Sequence, residues 1–341
     1  MIKEAIRKVV EGQSLTQEEA VQTMSEIMDG EATPSQVASF ITALRMKGET
    51  VEEITGFVKV MREKSVKIKT NQARLIDTCG TGGDKLDTFN ISTASAVVLA
   101  GAGAPVAKHG NRAASSNCGS ADVLEALGVS LALDAEQIGR SIDSVNIGFM
   151  FAPSMHPAMK YAVGPRKEIG VRTVFNILGP MTNPADAKFQ VIGVFSDKLC
   201  EPMANVLKNL GTERAMIVHG MDGLDEISTL GKTRISELKD GKIRGYIFDA
   251  EDIGVARADA GAIAGGADLQ ENAEILVKVL QGEKGPRRDI VCLNAGAALS
   301  VAGLAEDIKS GFALAEKTID SGAALDALEN FKRFTQECAA K

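Results

Sequence analysis

The sequence predicts an α/β protein, a mostly parallel central sheet flanked by helices, joined to a smaller all-helical domain. Three observations carry this. The chain has 341 residues, enough for about two domains at roughly 100–200 residues each. The first 65 residues show helical periodicity only, and from Leu75 short β-leaning runs alternate with helical stretches, the signature of strands joined by helical crossovers. Hydrophobic residues make up 45% and charged residues 24%, a globular balance that excludes wholesale disorder. Aromatics are only 4% and Trp is absent, so the core must be aliphatic.

The N-terminal part reads as three short helices with their own start signals. Thr16 with Glu19 and Thr50 with Glu53 form capping boxes, and Thr33-Pro34 sets a cap before a proline at the first helical position. Ile2, Ala5, Ile6, Val9 and Val10 add an apolar stripe at helical spacing. In the second part, Leu75–Cys79, the helix Ser92–Ala102, Pro105–His109 and Ala121–Leu127 follow one another. Gln190–Phe195, the helix Leu199–Leu210 and Arg214–His219 come later. Asp240-Gly241 between Arg234–Lys239 and Lys242–Asp249 is a hairpin signature, which predicts an antiparallel edge. From Asp268 the pattern is helical to the end. The expected division is a helical domain over 1–70, completed by about 166–185, and an α/β domain over 71–165 and 186–341.

Charge and cysteines narrow the function. Lys plus Arg is 38 against 45 Asp plus Glu, a net −7, which lacks the bulk electrostatics of a nucleic-acid binder. No apolar run reaches the ~18–20 residues of a membrane span, and the charged N-terminus shows no signal-peptide core. The five cysteines are scattered and never form C-x-x-C, so a zinc site is not expected and a reduced, cytoplasmic location is.

Four stretches could carry chemistry. Cys79-Gly80-Thr81-Gly82-Gly83-Asp84 follows a strand, and its glycines let successive N–H groups approach an anion. Asp87 to Thr93 places hydroxyls and an amide at the head of the next helix, where capping is the plainer role. Lys108 to Ser120 holds two cations, a His, two Asn and Ser115, Ser116 and Ser120, with no acidic residue: a polyanion cradle. Asp225 and Glu226 after a strand suit a divalent cation, since Mg²⁺ takes one or two carboxylates and completes its shell with phosphate and water. A phosphorylated, Mg²⁺-chelated substrate unites the glycine loop, the basic loop and the acidic pair. His156-Pro157, Arg166-Lys167 and Arg172 to Pro180 form a second constellation, in which a guanidinium among apolar residues suits a small carboxylate as well as a structural ion pair.

Taken together, GTGGD at 80–84, NIST at 90–93, KHGNRAASS at 108–116, GSADVLEALG at 119–128, HPAMK at 156–160, RTVFNILGPMTNP at 172–184 and DGLDEIS at 222–228 resemble the anthranilate phosphoribosyltransferase family over the whole length. The resemblance implies the nucleoside phosphorylase/phosphoribosyltransferase type of fold, a homodimer through the helical domain, and a step of tryptophan biosynthesis. In that step phosphoribosyl pyrophosphate (PRPP) and anthranilate give phosphoribosylanthranilate and pyrophosphate. It implies PRPP contacts from Gly80, Gly83, Asp84, Thr88, Asn90, Ile91, Ser92, Thr93, Lys108, His109, Gly110, Asn111, Arg112, Ala113, Ala114, Ser115, Ser116 and Ser120. Anthranilate would meet Gly80, Asn111 and Arg166, with His109 and Pro180 lining its path. Two Mg²⁺ per site are implied, on Ser92, Asp225 and Glu226. The sequence departs from the family at Asn117-Cys118 and at Val163-Gly164-Pro165.

No side chain is expected as a general acid or base. Lys108 and Arg112 would act electrostatically on the departing pyrophosphate. The 108–116 loop is expected to be clamped by the polyphosphate. The rival readings are a pyrimidine nucleoside phosphorylase and a non-catalytic paralogue that binds nucleic acid.

Overall fold

A computed structural model describes residues 1–83, 86–113 and 118–340. Helices α1 (Ile2–Val10), α2 (Gln17–Met28), α3 (Pro34–Lys47) and α4 (Val51–Glu63) open the chain. Four form where three carried start signals: the Ile2 stripe makes its own helix, with no side-chain cap. The other three begin at Thr16, Thr33 and Thr50, each closing a reciprocal capping box with Glu19, Gln36 and Glu53.

The second part begins with β1 (Ile76–Gly80), α5 (Ile91–Gly101), β2 (Val106–Gly110), α6 (Ser120–Ala126), α7 (Ala135–Val145) and β3 (Ile147–Phe151). Short helices α8 (Ala152–Met155), α9 (Lys160–Ile169) and α10 (Phe175–Leu178) lead to β4 (Phe189–Gly193), α11 (Cys200–Asn209), β5 (Arg214–Gly220) and the hairpin β6 (Thr233–Lys239) and β7 (Lys242–Phe248). Helices α12 (Leu269–Leu280), α13 (Pro286–Ala302), α14 (Ile308–Asp320) and α15 (Ala323–Ala339) finish the chain. The sheet order is β3-β2-β1-β4-β5-β6-β7, parallel from β3 to β5 and antiparallel at β6 and β7.

Alternation along the strands splits the core. Phe189, Val191, Met216 and Val218 pack with α5 and α13 on one face. Their neighbours Ile192, Val194, Ala215 and Ile217 pack with α11 on the other, in a cluster that continues into α1–α4 and takes in Ala162, Val174, Phe175 and Met181. The segment that carries Arg166 is thereby fixed to the N-terminal helices as well as to the sheet.

Candidate functional site

The strand order reverses between β1 and β4, which places a crevice at their carboxyl ends. The glycine loop leaves β1 there. The Gly193 carbonyl accepts from Thr81 N at 2.9 Å, and Thr81 Oγ1 accepts from Phe195 N at 3.0 Å. Gly83 has φ +79°, which favours glycine, and a Cβ on it would meet Arg172 Nη2 at 2.4 Å, so the guanidinium would have to shift. Arg172 donates to the Gly83 carbonyl and stacks 4.4 Å from the Phe195 ring.

The acidic pair reaches this loop from β5. Asp222 organises its turn, accepting from Leu224 N and from the Ser228 hydroxyl, so the first carboxylate of the turn is structural. The turn lies so close over β4 that a Cβ at Gly193 would fall 1.5 Å from the Asp225 carbonyl oxygen. Asp225 Oδ2 accepts from Gly82 N at 2.7 Å, directly joining the acidic pair to the glycine loop.

From the opposite side comes the head of α5. Asn90 occupies the N-cap position but makes no side-chain cap. Its Nδ2 donates to the Cys118 carbonyl at 3.0 Å, and its buried Oδ1 has no partner among the described residues. The buried Thr93 hydroxyl is likewise without one. Ile91 is core, and Thr88 makes an antiparallel bridge with Ala264. Lys108 is 1% exposed and donates to the Thr78 carbonyl at 2.6 Å, with the Ser92 hydroxyl at 3.5 Å. Burial pulls its pKa down, against the opposing pull of Asp77.

Arg112 behaves differently from Lys108. It is exposed, paired with Asp122 at 2.9 Å and with Glu125, and lies over the Phe151 ring. Asp122 also accepts from Ala113 N and Gly119 N, both at 2.9 Å, so one carboxylate gathers both ends of the loop. The sequence reading missed Asp122. Its place three residues after Gly119, at the start of α6, was the available signal. Gly110 ends β2 and Ser120 begins α6 beside it. Asp84, Ala114, Ser115 and Ser116 lie outside the described residues.

Beyond β2 lies a cavity of about 560 Å³, lined by His109, Asn111, His156, Arg166, Phe175 and Thr182 among others. Gly80 and Pro180 stand outside this lining: Gly80 sits under Asp225, and the Pro180 carbonyl accepts from Gln190 Nε2 at 3.0 Å. Arg166 is half-buried, 5.1 Å from the Phe175 ring, and burial lowers its pKa. Among the described residues no carboxylate pairs with it.

The two imidazoles of the cavity lie 5.1 Å apart, each with a buried Nε2 that has no partner among the described residues. Burial pushes His109 down to about 3 and His156 to about 4, so both are neutral in the folded chain. Unfolded imidazoles protonate near pH 6.5, so acid favours the unfolded chain from there down to the folded values. Asp77 opposes this: burial raises it to about 6, so below that pH the folded chain takes up its proton first. Two imidazoles outweigh one carboxyl. Thermal midpoints are therefore expected to fall between pH 7 and pH 5, and His156→Gln to flatten the slope. An unchanged slope would mean that His156 is already charged in the fold.

Known proteins share this architecture. Residues 3–65 match the glycosyl transferase family helical bundle domain and residues 72–325 its a/b domain. The anthranilate phosphoribosyltransferase of Acetivibrio thermocellus is 56% identical over 98% of this chain and 97% of its own. The chain belongs to the anthranilate phosphoribosyltransferase family. The family member from Moorella thermoacetica is 52% identical over 100% of both chains. The crystal structure of the Thermus thermophilus enzyme superposes with a TM-score of 0.92 at 44% identity, covering 97% of this chain and 99% of that one. The Saccharomyces cerevisiae enzyme, in complex with PRPP and Mg, gives 0.89 at 27% identity over 98% of both.

The donors at the crevice fit the hard cation named in that yeast complex. Asp225, Glu226 and the Ser92 hydroxyl offer oxygen. Among the described residues no group of three or more His, Cys, Asp or Glu gathers, so two carboxylates and a hydroxyl are the donors on offer.

Proposed function

We propose that the chain transfers the phosphoribosyl group of PRPP to the amine of anthranilate, releasing pyrophosphate, in tryptophan biosynthesis. One observation carries this reading. The glycine loop, Asp225 and Lys108 converge at the switch point, while the next residue of β2, His109, lines a cavity holding Arg166, which has no carboxylate partner among the described residues. A polyanion and a small aromatic acid then meet across a single strand end.

In this reading the glycine loop, Asn90, Ser92, Thr93 and Lys108 hold PRPP, joined by Arg112 and the 110–116 segment. Arg166 and Asn111 hold anthranilate, with His109 beside it. Asp225, Glu226 and Ser92 would hold Mg²⁺, which when bound supplies positive charge to the departing pyrophosphate. Lys108, desolvated and fixed, adds preorganised charge without reorganising during the reaction. The neutral imidazoles add no charge to the cavity, whose lining carries two cations, Lys160 and Arg166. No side chain is needed as a general base, and the remaining contribution is orientation of two reactants.

Arg112 must exchange Asp122 and Glu125 for phosphate to take part. Amides of Asn111 and Arg112 are therefore expected to exchange fast in the free chain and to slow with PRPP and Mg²⁺, but hardly with anthranilate alone. Full protection without ligand would sink the clamp while leaving the phosphate assignment standing.

The helical part (1–70 with about 166–185), the α/β part, dimerisation through the helical part and a cytoplasmic location belong to the same reading. Among the described residues no helix is long and apolar enough to cross a membrane. The deciding experiment follows anthranilate consumption on adding PRPP and Mg²⁺, with pyrophosphate measured as product. Phosphorolysis of thymidine or uridine without PRPP would favour the phosphorylase instead.

A further inference from the structure

β2 and β3 pair through all of Val106–Gly110, and β1 and β4 through all of Ile76–Gly80, but β1 and β2 share a single pair, Ile76 with Val106. Past that pair the two strands part, at the end of the sheet where the site lies. Three side chains fill the gap: Asp77 and Asn183, 0% and 1% exposed, and Lys108. They take over the bonds a ladder would make. Asp77 Oδ1 accepts from His109 N at 3.1 Å, and Lys108 Nζ donates to the Thr78 carbonyl. Asn183 Nδ2 spends one hydrogen on Asp77 Oδ2 and the other on the Ala107 carbonyl, both at 2.8 Å. Its Oδ1 accepts from Ala185 N at 2.9 Å, which fixes which way the amide faces.

We propose that Asp77 is a positioning residue for both substrates: with Asn183 it holds the end of β2 apart from β1, so that Lys108 serves the PRPP side while His109 and Asn111 serve the anthranilate side. It touches neither substrate. The inference rests on the proposed transfer reaction. Alternation along β2 gives it force, because consecutive residues face opposite sides and a shift of this strand end disturbs both sites together. Only a carboxylate suits position 77. Two donors, His109 N–H and the Asn183 amide, converge on it, and the buried Lys108 ammonium faces its charge. An asparagine of the same shape offers one acceptor and turns N–H toward a donor.

The test is steady-state kinetics on Asp77→Asn, with enzyme concentration set by active-site titration. The expected result is a rise of about ten-fold in the Michaelis constants of both PRPP and anthranilate, with a lower kcat. A merely structural role would reduce the amount of active enzyme and leave both constants where they were. Asn183→Ala removes the clamp while keeping the charge, and several-fold rises in both constants are expected. It decides the matter should Asp77→Asn fail to fold. The proposal is overturned if the folded variants keep both constants within two-fold, or if only one constant moves. Absence of transfer in the wild-type chain would instead count against the proposed function. Asp77 would then be judged by calorimetric binding of Mg²⁺–PRPP, which the substitution should weaken about ten-fold and which, unchanged, overturns it.

Discussion

Asp225→Asn combined with Glu226→Gln is expected to cost roughly 100- to 1000-fold in turnover, the scale of losing preorganised charge stabilisation at a reacting centre. Thermal stability should change little. The hydrogen bond that Asp225 accepts from Gly82 N can be kept by an asparagine oxygen, so the glycine loop stays seated. Asp222 is left in place to organise the turn. Titrating Mg²⁺ separates binding from folding. Near-wild-type activity of the double variant at limiting Mg²⁺ would show that the metal is held elsewhere.

Arg166→Ala is expected to raise the Michaelis constant for anthranilate ten- to hundred-fold and that for PRPP far less. A hydrogen bond to a charged group contributes ~1.5–3 kcal/mol, and this guanidinium stands half-buried in an apolar cavity with no protein carboxylate against it among the described residues. A structural arginine would have a partner, as Arg288 does in Asp320 at 3.0 Å. The selectivity of the effect is what distinguishes it from the Asp77 variants, which should move both constants. Initial rates at varied concentrations of each substrate read it directly. Equal damage to both would return Arg166 to a structural role.

Much of this was legible in the sequence, and the reason is range. A capping box closes within three residues, as at Thr16 and Glu19, and a hairpin announces itself at Asp240-Gly241. The glycine loop, the basic stretch and the acidic pair each declare their chemistry within a few consecutive residues. In the stretch from Asp134 to Phe151, a capping box at Asp134 and a left-handed Asn146 mark the ends of α7 before β3. β3 is short and uniformly apolar, and such a run has no periodicity to separate strand from buried helix.

What no local pattern could supply was the partner of each buried polar group. By itself the sequence determined the element types, the anion-binding character of the crevice, the candidate metal ligands and the family resemblance. Tertiary structure alone decided that Lys108 is buried while Arg112 is exposed and tied to Asp122, that Arg166 faces a cavity, and that Asp77 meets Asn183 from 106 positions away. A buried donor or acceptor must be satisfied, but the chain that satisfies it is chosen by which strands lie side by side. That choice is made by the packing of the whole sheet.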